Sequence, residues 1–193
     1  MNDCYQPLYI NFRTLSASTR LALGLLDCLH PYENPPVFLC IGSDRVTGDS
    51  LGPLVGSFLE KRYPDTAIFG TLTLPVHALN LNEHLRYIRE KFPLHPVIAI
   101  DASLGARNRQ GYLTVGRGSI RPGAGVHKNL EQAGDIFITG IVAAAGPFSQ
   151  MALQTVRLSV VMDMAEIILE GIEKTALIRK KRPNSSFSSQ CRI

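Results

Sequence analysis

The stretch Val37-Phe-Leu-Cys-Ile41, followed by Gly42-Ser-Asp-Arg-Val-Thr-Gly-Asp-Ser-Leu-Gly-Pro53, decides how this chain is read. A short, continuous apolar run without polar alternation describes a strand covered on both faces, as strands of a parallel sheet are. Gly42 marks its end, and a loop rich in glycine, hydroxyls and carboxylates follows. From residue 50 to 61 apolar side chains return at helical spacing, in Leu51, Leu54, Val55, Phe58 and Leu59. Pro53 is tolerated there because it falls in the first turn, where a backbone N–H has no helical partner. The unit is strand, loop, helix.

Working outward, the same alternation recurs. Upstream, residues 14–29 read as an amphipathic helix with Ser16 or Ser18 available to cap it, ended by the prolines at 31, 35 and 36. Downstream come a strand near Ala67 to Leu72, a helix near Asn82 to Lys91, and a second buried strand, Val97 to Ile100, ending in Asp101. Such alternation implies right-handed βαβ crossovers. Gly111 to Gly116 alternates like a strand, the glycine-rich residues 117–126 read as a surface loop, and Ile136 to Val142 supplies a further buried strand. One long helix from about Ser149 to Lys174 closes the domain. The expected fold is α/β: a three-layer sandwich with a mostly parallel sheet flanked by helices. Residues 1–35 read as an N-terminal helical extension, 36–176 as a single α/β domain and 177–193 as a basic, disordered tail.

Composition narrows the class without naming an activity. With 193 residues, 45% apolar and 19% charged, the chain matches an ordinary globular domain and excludes collagen-like repeats and disorder. Its net charge of +4 belongs to the end of the chain. Residues 179–193 hold Arg179, Lys180, Lys181, Arg182 and Arg192 without an acid, so nucleic acid is not an expected partner and the run reads as a solvated tail. The four cysteines, at 4, 28, 40 and 191, form no Cys-x-x-Cys pair, which fits a reducing cytoplasm. No membrane partner is expected, because the longest helical candidate is interrupted by Arg157, Asp163 and Glu166.

Chemistry concentrates at Asp49 and Asp101. Taken singly, Asp49 reads as a helix N-cap and Asp101 as the start of a turn. Taken together, each follows a different buried strand, and the crevice beyond the carboxyl ends of parallel strands is where ligands bind. On neighbouring strands about 4.8 Å apart, two carboxylates can face one crevice, where repulsion raises one pKa and leaves an acid beside a base. His127 offers a third group, as a proton carrier or as a donor that completes a divalent-metal site with Asp49 and Asp101. Ser43, Asp44, Thr47, Ser103 and His77 are candidate substrate-binding residues. The loop is neither a P-loop nor a Gly-x-Gly-x-x-Gly fingerprint, and no Gly-x-Ser-x-Gly elbow is present.

At Gly42 to Pro53 and at Ile100-Asp-Ala-Ser-Leu104 the sequence resembles the YyaC-type sporulation proteins, a family related to the spore germination protease and, more widely, to hydrogenase maturation endopeptidases. The resemblance runs from about residue 36 to 173. It implies a peptidase-like hydrolase of sporulating cells in which Asp49 and Asp101 match the germination protease's two acids. Small acid-soluble spore proteins are its implied substrates. His127 matches the metal-binding histidine of the hydrogenase maturation enzymes, whose first acid is glutamate where this chain has Asp49. The alternatives are a non-catalytic protein that holds a peptide or metal, and a metal-dependent endopeptidase. A homo-oligomer stays open.

Overall fold

The computed structural model describes residues 6–122 and 131–181. In chain order the strands are β1 (Leu8–Asn11), β2 (Val37–Cys40), β3 (Ile68–Phe69), β4 (Val97–Gly105), β5 (Tyr112–Arg117) and β6 (Ile136–Ala144). The helices are α1 (Ala17–Leu29), α2 (Leu51–Arg62), α3 (Leu81–Lys91), α4 (Ser149–Gln154) and α5 (Leu158–Lys181). The strands form one six-stranded sheet of order β1-β5-β6-β4-β2-β3. β4 pairs in parallel with β2 and with β6, and β2 in parallel with β3. β5 is antiparallel to both β6 and β1, so β1 runs in the same direction as the parallel strands. The chain therefore leaves β1, β2, β4 and β6 at one common edge.

Side-chain alternation divides this sheet between two cores. Phe38, Cys40, Ile98, Ile100, Leu113 and Ile138 point into a larger cluster with Leu21, Leu25, Leu59 and Ile168 of α1, α2 and α5. Val37, Leu39, Ile41 and Ala99 face a smaller cluster built on Leu81, Leu85 and Ile88 of α3. Helices on both faces make the three layers expected from the strand and helix alternation. Each fully buried leucine or isoleucine contributes roughly 1.5–3 kcal/mol of transfer free energy, which is why the apolar runs dictate the layering.

Glycines set the height at which α2 lies. A Cβ at Gly52 would run into the Ile41 carbonyl oxygen, and one at Gly56 into that of Gly70. Helix and strand backbones thus touch directly, which draws the start of α2 against the end of β2.

The structure departs from the sequence reading in several places. β3 is only Ile68–Phe69, because Gly70 turns the chain at a φ of 90°. β4 continues past Ile100 to Gly105, held by its ladder to β6, so Asp101 lies within the strand instead of ending it. The single long helix is broken: the Thr155 hydroxyl donates to the carbonyls of Met151 and Ala152, closing α4 before α5 begins at Leu158. Residues read as an N-terminal extension belong to the main body, since β1 pairs with β5 and Leu21 and Leu25 of α1 lie in the larger core. Ser16 precedes α1 without a capping side-chain bond, and Ser18 instead accepts from Lys174 at 2.6 Å. At the other end α5 runs on to Lys181, so the first residues of the expected tail are helical.

Candidate functional site

The loop after β2 is shaped around Asp49. Gly42 leaves the strand at a φ of 140°, its N–H bonded to the Val76 carbonyl at 2.8 Å. The Ser43 N–H donates to the Asp49 carbonyl at 3.1 Å, and any Cβ at Gly42 would strike that same oxygen. Thr47–Asp49 then form a 3-10 turn, and the Ser50 hydroxyl donates back to the Thr47 carbonyl at 2.7 Å. Ser50, not Asp49, occupies the N-cap position of α2, and its side chain makes no cap bond. The capping role that a lone Asp49 suggests is thus not what the turn is built for.

Asp101 sits one residue beyond Ile100, whose carbonyl accepts the Ile41 N–H at 2.7 Å. Its place in the strand alternation puts it on the face of Ala99, the α3 face, and it is 8% exposed. Burial holds its carboxyl well above the usual range; the Asp49 charge pushes it further up, against the Ala102 N–H. Asp49 is itself pushed up to about 6, chiefly by burial, opposed by the Ser43 N–H and by His77. The two carboxyls lie close enough for the charge of one to act on the other, which is the acid-beside-base arrangement.

His77 enters this cluster through the sheet. Val76 bridges Ile41 in parallel, so the next residue emerges beside Gly42 at the carboxyl edge. The His77 N–H donates to Asn80 Oδ1 at 2.8 Å, and Nδ1 accepts from the Leu79 N–H at 3.3 Å. Of the other candidates, Ser43 contributes its backbone N–H while its hydroxyl accepts from the Arg45 N–H. Asp44 is exposed and Thr47 partly buried. Ser103 lies on Asp101's side of β4 and donates to Thr139 Oγ1 at 3.3 Å. His127 lies outside the described residues.

Two hydroxyls that the sequence reading passed over belong beside these groups. Asp101, Thr139, Thr114 and Tyr9 occupy one register row across β4, β6, β5 and β1. Thr114 and Thr139 share a hydrogen bond at 2.7 Å. Their signal was a single polar residue inside each of two apolar runs, which only strand pairing turns into a row.

Two cavities lined by described residues flank the sheet. One, of about 170 Å³, is apolar, lined by Leu25, Leu29, Phe38, Leu59 and Tyr63 under the opposite, amino edge. The other, of about 310 Å³, lies at the carboxyl edge between α4 and the β4–β5 connection, lined by Arg107, Gln110, Ala143, Ala152, Thr155 and Val156. Neither of these two is lined by Asp49 or Asp101, which charge coupling and strand register bring together. Among the described residues no group of three His, Cys, Asp or Glu side chains is arranged to hold a metal ion.

The family model described as "Protein of unknown function (DUF1256)" matches residues 9–171. The chain belongs to this family. It is also 42% identical over 162 residues to "Uncharacterized protein YyaC" of Bacillus subtilis (strain 168), covering 83% of this chain and 75% of that protein. The matched region takes in Asp49, His77, Asp101, Thr114 and Thr139. No helix among the described residues is long and apolar enough to cross a membrane.

Proposed function

We propose that this chain is a hydrolase of peptide bonds, with Asp101 as general acid and Asp49 as general base. The observation that carries the reading is the coupled pair: burial and the Asp49 charge push the Asp101 carboxyl well above its usual range, and Asp49 is pushed up to about 6. At neutral pH the ionised Asp49 takes a proton from water as its oxygen attacks the peptide carbonyl carbon. Asp101 gives its proton to the carbonyl oxygen. Collapse of the tetrahedral intermediate then breaks the C–N bond: Asp49 gives the departing amine the proton it took from water, and Asp101 takes back a proton from one hydroxyl as the carboxyl product forms. Positioned acid–base groups of this kind are worth about 10²–10⁴ in rate. His77 holds the Asp49 charge in place, and Ser103, Thr139 and Thr114 set hydroxyls beside Asp101.

The resemblance of the Gly42 to Pro53 loop and of Ile100 to Leu104 to the germination protease supports the same reaction class. It makes the cytoplasm of sporulating bacteria the proposed setting and small acid-soluble spore proteins the first substrates to try. A divalent cation, where one is used, would be held by the Asp49 and Asp101 carboxylates, whose repulsion it relieves, with His127 as the third donor that the resemblance implies.

The test is incubation of the purified chain with spore proteins and unstructured peptides, beside Asp101→Asn and Asp49→Asn. Cleavage lost in both variants supports the pair. Binding without cleavage in the wild type would leave a non-catalytic peptide-binding protein. Activity removed by chelation and restored by zinc would move the site to the metal-dependent class.

A further inference from the structure

The carboxyl edge around the two aspartates carries a second pattern that the acid–base pair does not use. The loops leaving the strands at this edge hold Arg13, Arg45, Arg107, Arg109 and Arg157, all exposed, and no lysine. Arg13 lies over the Phe12 ring, and Arg109 over the rings of Tyr9 and Tyr112. Among the described residues, no ion pair or ring contact engages the guanidinium of Arg45, Arg107 or Arg157. The ion pairs among the described residues lie elsewhere, on α1, α2, α3 and α5, at the other end of β5 and just before β6. These arginines thus lie along the same carboxyl edge of the sheet as the acid pair, on the connections that follow β1, β2, β4 and β6. Arg107 walls the 310 Å³ cavity, whose other sides are alanine, Val156, Thr155 and Gln110.

Exposed apolar side chains share the same edge. Leu79 precedes α3 and is 79% exposed, while Phe148 and Met151, before and within α4, are 74% and 62% exposed. Large apolar groups left in water along the same edge as guanidinium groups without an ion pair fit an interaction surface better than a solvated loop.

We infer that this edge docks an acidic polypeptide segment that also bears large apolar side chains, with an acidic side chain entering the cavity beside Arg107. Charge complementarity selects the acids, because guanidinium groups pair with carboxylates bidentately. Leu79, Phe148 and Met151 select a polypeptide over a nucleic acid. A continuous phosphate backbone offers nothing to aliphatic side chains. The inference deepens the hydrolase reading, naming the substrate class of that same crevice, but it is measured by binding.

The experiment uses the full chain and labelled twenty-residue peptides in fluorescence anisotropy. One peptide alternates Glu with Leu and Phe, a second replaces every Glu by Gln, and the third probe is a single-stranded RNA of equal charge. The acidic peptide should bind about tenfold more tightly than its Gln counterpart, the scale of a few exposed ion pairs acting together, and lose this preference at high salt. Arg45→Gln, Arg107→Gln and Arg157→Gln combined should erase the preference, and exposed positions leave the fold intact, as a thermal melt will verify. Equal binding of the two peptides, or preferential binding of the RNA, overturns the inference. Cleavage without a charge preference sinks this inference and spares the hydrolase reading. Acidic-peptide binding without cleavage does the reverse.

Discussion

Replacing Asp49 by asparagine separates the cost of the site from its use. The carboxyl rises from an ordinary 3.8 to about 6 in the folded chain, so folding holds a proton that the unfolded chain releases between those values. Stability therefore falls as pH climbs through that window and stays lower above it. A shift of about two units corresponds to ~3 kcal/mol, and partial exposure to solvent reduces this to roughly 1–2 kcal/mol. Asparagine keeps the shape and an acceptor for the Ser43 N–H but cannot titrate. Asp49→Asn should thus match the wild type near pH 4 and become more stable by roughly 1–2 kcal/mol at pH 7, or ~2–8 °C in melting temperature for a chain of this length. It should also lower the Asp101 pKa, because the Asp49 charge is one cause of its elevation. Urea titrations of both proteins at half-unit steps from pH 4 to 8 measure the difference. Parallel curves across the whole range, or a variant less stable at pH 7, would refute the burial and coupling on which the acid–base pair rests.

Other consequences are simpler to read. Gly52→Ala should cost roughly 1–3 kcal/mol in a thermal melt and more than tenfold in cleavage, since its Cβ meets the Ile41 backbone and must lift the start of α2 away from β2. Thr139→Val leaves the Ser103 and Thr114 hydroxyls without their shared partner, and Thr114 is 6% exposed, so a loss of about 1–3 kcal/mol is expected in chemical denaturation. Cys28 and Cys40 are buried with thiol pKa values raised by burial, to about 11 for Cys28. Mapping iodoacetamide adducts by mass spectrometry should find both unlabelled at pH 8 until denaturant is added.

The layered α/β fold was legible because its signals are local and strong: an apolar run such as Val37 to Ile41 has no stable place except between two layers, and the helical spacing of Leu51, Leu54, Val55 and Leu59 identifies the layer above it. The same reading located Asp49 and Asp101 and assigned them to one edge. It could not tell that Asp101 lies inside a strand, because a ladder's length depends on its partner, and β6 continues as far as β4 does. Nor could it see that β1 completes the sheet, since four residues carry no periodicity of their own and only pairing with β5 defines them.

The site divides along the same line. Sequence alone determined which residues have acid–base chemistry to offer and that two of them follow buried parallel strands, since burial pattern and residue type are written position by position. The tertiary structure decided which groups act together. His77 joined Asp49 through the Val76–Ile41 bridge, Thr114 and Thr139 aligned with Asp101 across three strands, and arginines from separate loops came to the same edge of the sheet. Charge coupling and hydrogen bonding act over a few ångströms in space, whatever the separation along the chain, and strand order sets those distances.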